Sequence, residues 1–182
     1  GHVSDGQNVM SDFCGLLSML VRDNREMLEC LGNDPELDEV FTYNDRTKTL
    51  FSGTDSVRNG LFDITFVVPK DINYSDENGL ITMFAYTSDG KITAHGECDD
   101  FLVGGYTTQH NDSIGPSVYC YLNSPMFVNG GDVNSTPFFV AEIRDADGIN
   151  ASGAGIGHDM QLVIDNDANM TFNLNENFTY NF

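Results

Sequence analysis

Thr54-Asp55-Ser56-Val57-Arg58-Asn59-Gly60-Leu61-Phe62-Asp63-Ile64-Thr65-Phe66-Val67-Val68-Pro69-Lys70-Asp71-Ile72 is the stretch on which the fold turns. Asn59-Gly60 supplies two residues that tolerate positive φ, as the tight turns between twisted, paired strands require. Phe62, Ile64, Phe66 and Val68 then recur at every second position, which places all four on one face of a strand. Burying four such side chains stabilises by roughly 6–12 kcal/mol, comparable to the net stability of a whole domain, about 5–15 kcal/mol. The stretch predicts a β-hairpin with one face in a core, closed by Pro69.

Working outward, strand-like runs recur with turn signals between them, and no window carries a long apolar stripe at helical spacing. Leu17, Met19 and Val21 alternate ahead of Arg22-Asp23-Asn24-Arg25, and residues 27–31 can pair back across that turn. Residues 33–39 are acidic, contain Pro35 and read as a loop. Val40-Phe41-Thr42-Tyr43 and Thr49-Leu50-Phe51 flank a polar turn. Leu80-Ile81-Thr82-Met83-Phe84-Ala85-Tyr86 is a continuous apolar run, expected to be central in its sheet, and it turns at Asp89-Gly90 into residues 91–95. Residues 99–103 make a last strand, and residues 104–115 have a linker's composition. Further strands follow at 117–122, 138–143 and 160–164, with a Gly130-Gly131 turn among them, and Phe172, Leu174, Phe178, Tyr180 and Phe182 share one alternating set.

The predicted class is all-β: residues 1–12 a tail, 13–104 an immunoglobulin-like β-sandwich, 105–116 a linker, and 117–182 a second, incomplete β-sandwich. It is incomplete because a full sandwich takes about seven strands over about 100 residues. Its missing strands leave backbone groups at an open edge, which a neighbouring chain or the first domain is expected to cover, so self-association through an exposed strand edge is anticipated. Gly1 is not a translation start, and the chain is expected to be part of something longer.

The 182 residues carry 8 Lys plus Arg against 28 Asp plus Glu, a formal charge of −20 spread over both halves. A phosphate backbone would be repelled, so nucleic acid is not an expected partner. Cys14, Cys30, Cys98 and Cys120 match no zinc spacing and no Cys-x-x-Cys. Cys30, between Leu28 and Leu31, and Cys120, alternating with Val118 and Leu122, read as small buried apolar side chains, with a disulfide as the alternative.

Candidate sites reduce to structural readings. His95 with Cys98, or His158 with Cys120, are the Cys–His pairs that could act as nucleophile and base, yet neither carries a local signature. Gly153-Ala154-Gly155-Ile156-Gly157 lacks the Lys and helix start of a phosphate loop, and its glycines suit a compact crossing tied down by His158-Asp159. Asp165, Asp167, Asn169 and Glu176 copy a calcium loop's ligand spacing, but Met170 stands where the sharp turn needs Gly, and a hairpin turn between Ile164 and Phe172 is the better account. Asp145-Ala146-Asp147-Gly148 is a second acidic turn of this kind. No residue is assigned to catalysis, to a cofactor or to a metal.

Several spaced blocks carry a resemblance. Residues 49–60 with 62–72 behind them, Phe84-Ala85-Tyr86, Asp100-Phe101-Leu102-Val103-Gly104-Gly105, Tyr121-Leu122-Asn123, Asn134-Ser135-Thr136-Pro137, Asp147-Gly148-Ile149-Asn150, Gly153 to Gly157 and His158-Asp159 together resemble the post-catalytic β-region of the PorU-type sortases. These are gingipain-like cysteine peptidases of type IX secretion in Bacteroidetes. In that family the nucleophilic Cys and its His lie upstream in a caspase-like domain that nothing here matches, so no catalytic role carries over. The resemblance implies a non-catalytic accessory part of a cell-surface, outer-membrane protein, its partners being the catalytic domain of the same parent chain and secretion-system components or cargo. Asp55-Ser56-Val57 and Asp112-Ser113-Ile114 are similar to the acceptor of O-glycosylation in Bacteroidetes. The rival expectation is a surface adhesin or carbohydrate-binding sandwich with Tyr74, Tyr106 and Tyr119 as sugar platforms, which the absence of Trp weakens.

Overall fold

The structure is a computed structural model, described for residues 1–33, 39–105, 113–153 and 159–181. It is all-β, of the β-sandwich type, with no α-helix among the described residues. In chain order the strands are β1 (Gly15–Arg22), β2 (Glu26–Glu29), β3 (Thr42–Asp45), β4 (Thr49–Val57), β5 (Glu77–Asn78), β6 (Leu80–Thr87), β7 (Thr93–Cys98) and β8 (Leu102–Val103). β9 (Ser117–Leu122), β10 (Phe139–Arg144), β11 (Gln161–Val163), β12 (Thr171–Asn173) and β13 (Tyr180–Asn181) follow.

The chain divides into two compact units, Gly1–Tyr106 with Asn150–Phe182, and Thr107–Ile149. The sequence divides at 104 and 117 instead, and the difference has a physical source. β13 returns to lie parallel on β4, Tyr180 opposite Gly53 and Asn181 opposite Thr54. The Tyr180 ring stacks on Phe51 at 5.2 Å, Phe51 stacks on Phe66 at 4.5 Å, and Phe178 meets Tyr180 edge-on at 4.9 Å. Gly53 makes room for this, since a Cβ there would come within 2.4 Å of the Phe51 ring.

The first unit is built on a five-stranded sheet in the order β13-β4-β1-β6-β7. Leu17, Met19 and Val21 on β1 are buried, as their alternation predicts, and β4 and β6 flank β1 antiparallel on either side. One core cluster joins Met19, Val21, Leu50, Phe51, Ile72 and Val103, and another joins Val3, Phe13, Leu17, Val57 and Ala85. Because both edges of β1 are taken, residues 26–29 do not pair back on it; β2 pairs with β3. β6 lies between β1 and β7, inside the sheet.

The decisive stretch is half as expected. Asn59 and Gly60 both take positive φ, 53° and 74°, and close a tight turn in which Arg58 and Leu61 bridge. Phe62, Ile64 and Phe66 alternate in burial, but residues 62–69 are not a laddered strand. The outgoing limb finds its partner at the N-terminus: Phe62 N–H donates to Gly1 O at 3.1 Å and His2 bridges Leu61. The chain then crosses the sheet, Phe62 and Ile64 packing on one core cluster, Ile64 and Phe66 on the other. Val68, 51 % exposed, falls off the end of that face. Residues 1–12 are accordingly no tail, because Val3 is buried and Met10 packs beside it.

β5 pairs with β8, and β11 with β12. The second unit is the ribbon of β9 and β10, in register from Phe139 opposite Leu122 to Arg144 opposite Ser117. Much of its apolar surface is open, Phe138 being 72 % exposed. The expected linker lies largely outside the described residues, as do residues 34–38 of the acidic loop.

Candidate functional site

The most developed polar arrangement sits where β1 ends. Asp23 and Asn24 are almost wholly buried. Asp23 Oδ1 accepts the N–H of Asn24 at 2.8 Å, and its Oδ2 accepts the N–H of Asn73 at 2.6 Å. Asn24 and Asn73 are joined reciprocally: Asn73 Nδ2 donates to Asn24 Oδ1 at 3.1 Å, and Asn24 Nδ2 donates to Asn73 O at 3.2 Å and to Ser75 Oγ at 2.5 Å. Lys48 Nζ completes the set on Asn73 Oδ1. Each buried group finds a partner inside the chain, so the arrangement fixes a loop rather than presenting groups to a ligand. In the sequence Asp23-Asn24 reads only as a polar turn; nothing local signals that residues 48, 73 and 75 converge on it.

Two blocks of the resemblance also meet. Asn150 Nδ2 donates to Asp71 Oδ2 at 2.6 Å, while Asn150 Oδ1 accepts from the N–H and hydroxyl of Ser152 at 3.1 and 2.7 Å.

His95 and Cys98 stand three positions apart on β7, and a separation of three puts side chains on opposite faces. His95 lies opposite Phe84 on the outer face; Cys98 lies opposite Ile81, on the core face. The strand therefore separates this nucleophile and base. His158 and residues 154–157 lie outside the described residues.

All four cysteines are exposed free thiols, which corrects the expectation of burial and sets the disulfide alternative aside. Cover is lacking where Cys120 stands on the open ribbon and Cys98 on an edge strand, while Cys14 meets the Asn59 turn, whose N–H reaches its Sγ at 3.5 Å.

The acidic motifs are turns. Asp165 and Asn166 both have φ of 55°, Asp167 Oδ1 caps the short 3₁₀ turn Ala168–Met170 by accepting from Asn169, and the hairpin of β11 and β12 forms as predicted. Asp145 Oδ1 accepts the N–H of Asp147 at 2.8 Å. Asp55 Oδ1 accepts the N–H of Ser56, which sits half-buried opposite Leu16, whereas Ser113 is exposed and Asp112 lies outside the described residues.

Tyr74 spends its hydroxyl on Lys70 O at 2.7 Å, and Tyr119 spends its own on Pro125 O at 2.8 Å. Tyr119 and Tyr121 share one face of β9 with ring centres 5.5 Å apart. Desolvation, and then the Glu142 carboxylate, push the Tyr121 phenol upward. Tyr106 lies outside the described residues.

No family model matches the sequence, and no curated protein matches it. Among solved structures, the fold is similar to the crystal structure of dimeric latent PorU from Porphyromonas gingivalis, with a TM-score of 0.59 and 33% sequence identity. The similarity covers 96% of this chain and 16% of that one, so the chain spans about a sixth of the length of the protein it matches. Over nearly its whole length, then, the chain is similar to one part of PorU.

Proposed function

We propose that this chain is a non-catalytic accessory β-sandwich part of a PorU-like cell-surface cysteine peptidase of type IX secretion, where it spaces or supports the catalytic domain at the extracellular face of the outer membrane. The observation that carries this is the 33% identity extending over 96% of the chain while using only 16% of the relative. The placing of His95 and Cys98 on opposite faces of β7 supports the same reading. Its partners on this reading are the catalytic domain of the parent chain and secretion-system components or secreted cargo.

The test is the parent gene. It should encode a caspase-like domain with a Cys and a His upstream of this region, and removing this region from it should abolish attachment of secreted cargo to the surface while the isolated chain leaves peptide substrates intact. A gene lacking that domain, or peptide cleavage by the isolated chain, would overturn the reading.

A further inference from the structure

We propose that β7 is a self-complementary edge through which two copies of this chain join antiparallel about a twofold axis at Gly96, His95 of each copy facing Glu97 of the other. The inference is independent of the proposed function and rests on register and charge.

β7 ends the five-stranded sheet, and among the described residues nothing pairs with its outer side. Its six residues are exposed except for Ala94. None of them is a Lys or Pro, and the register against β6 runs without a bulge, so the devices that usually blunt an edge are missing.

The hydrogen-bond phase says which groups are free. Thr87 N–H donates to Ile92 O at 2.9 Å. Followed inward, that phase makes Ala85 with Ala94, Met83 with Gly96 and Ile81 with Cys98 the hydrogen-bonded pairs of β6 and β7. The N–H and C=O groups of Thr93, His95 and Glu97 then point away from β6 to the open edge.

An axis at Gly96 makes its two copies a non-hydrogen-bonded pair, which having no side chain eases. His95 and Glu97 of the second copy become a hydrogen-bonded pair, twice over, with both side chains on the outer face beside Phe84 and Thr82. An imidazole donor thus meets a carboxylate at both positions, in a molecule whose net charge of −20 would otherwise oppose self-association. At physiological ionic strength that longer-range repulsion is screened beyond about 8 Å, while the directly opposed pair is not.

Sedimentation equilibrium of the 182-residue chain at that ionic strength tests this. The wild type should show a monomer–dimer equilibrium. His95→Glu opposes carboxylates at both positions and should weaken the dimer by about tenfold or more, and the double exchange His95→Glu with Glu97→His should restore it. Glu97→Pro removes an outward N–H while sparing the bonds to β6, and should abolish dimerisation with the far-UV circular dichroism unchanged. A wild type that stays monomeric at about 100 times the concentration of an ordinary micromolar interaction, or a dimer that neither His95→Glu nor the double exchange shifts, would overturn the proposal.

Discussion

Tyr180, two residues from the end of the chain, stacks its ring 5.2 Å from that of Phe51, which is 1% exposed in the core of the first unit. The contact makes the C-terminal segment part of the sheet's hydrophobic core, and Phe66 on the other side of Phe51 extends it to the crossing segment. Tyr180→Ala removes the stack and leaves Phe51 partly uncovered, so it should destabilise by about 2–4 kcal/mol, measured by urea denaturation. Tyr180→Phe keeps the ring and should cost about 1 kcal/mol or less.

Asp23 helps to hold the loop of residues 71–75 through its carboxylate, which accepts the Asn73 N–H. Asp23→Ala strands the buried N–H groups of Asn24 and Asn73, and should cost about 2–4 kcal/mol, each unmet donor contributing about 1–3 kcal/mol. Hydrogen exchange at the Asn73 amide should accelerate in that variant more than exchange within β6, since the loop opens without the sheet.

The two hairpin glycines separate backbone strain from crowding. Gly60 has φ of 74°, and a Cβ there would lie 2.4 Å from Met10 O, whereas Gly90 has φ of 69° with open space around it. Gly90→Ala should therefore cost only the left-handed penalty, about 1–2 kcal/mol. Gly60→Ala adds a displacement of the N-terminal segment and should cost at least about 1 kcal/mol more, read from the difference in urea midpoints of the two variants.

How much of this was legible follows from the range over which each signal acts. The alternation of Leu17, Met19 and Val21 and the positive φ of Asn59-Gly60 are local, and the structure has both. The partial burial of Phe62, Ile64 and Phe66 was legible too, but alternation reports an inward face and not a ladder, and the partner of Leu61 and Phe62 proved to be residues 1–2. The return of Tyr180 to β4, and the convergence of Lys48, Asn73 and Ser75 on Asp23-Asn24, join residues 25 to 129 positions apart, where no periodicity reaches. For the candidate site, His95 and Cys98 are separated because β7 runs on to Cys98, past the 91–95 expected from the sequence, where the pair is set aside only for want of a local signature. The exposure of the cysteines was hidden because an apolar neighbourhood in sequence does not show whether a second layer covers the strand.

The turn that joins β6 to β7 carries its own titration signal. Asp89 is exposed, yet its carboxyl is held below its ordinary value, because the Thr87 hydroxyl donates to it at 2.6 Å, and Lys91 adds its ammonium at 3.1 Å and its backbone N–H at 3.2 Å. A depressed carboxyl in the folded state stabilises above the unfolded value, near 3.9, and the contribution is lost as pH falls through the folded value. Folding should therefore gain nothing from this group at the acid end and its full, solvent-screened benefit above about pH 4–5. Carboxyl-detected NMR titration should find Asp89 titrating below an ordinary aspartate. Thr87→Val, which removes the largest cause, should move the midpoint upward further than Lys91→Ala does. An unchanged midpoint in the Thr87 variant would mean that the hydroxyl does not hold the turn.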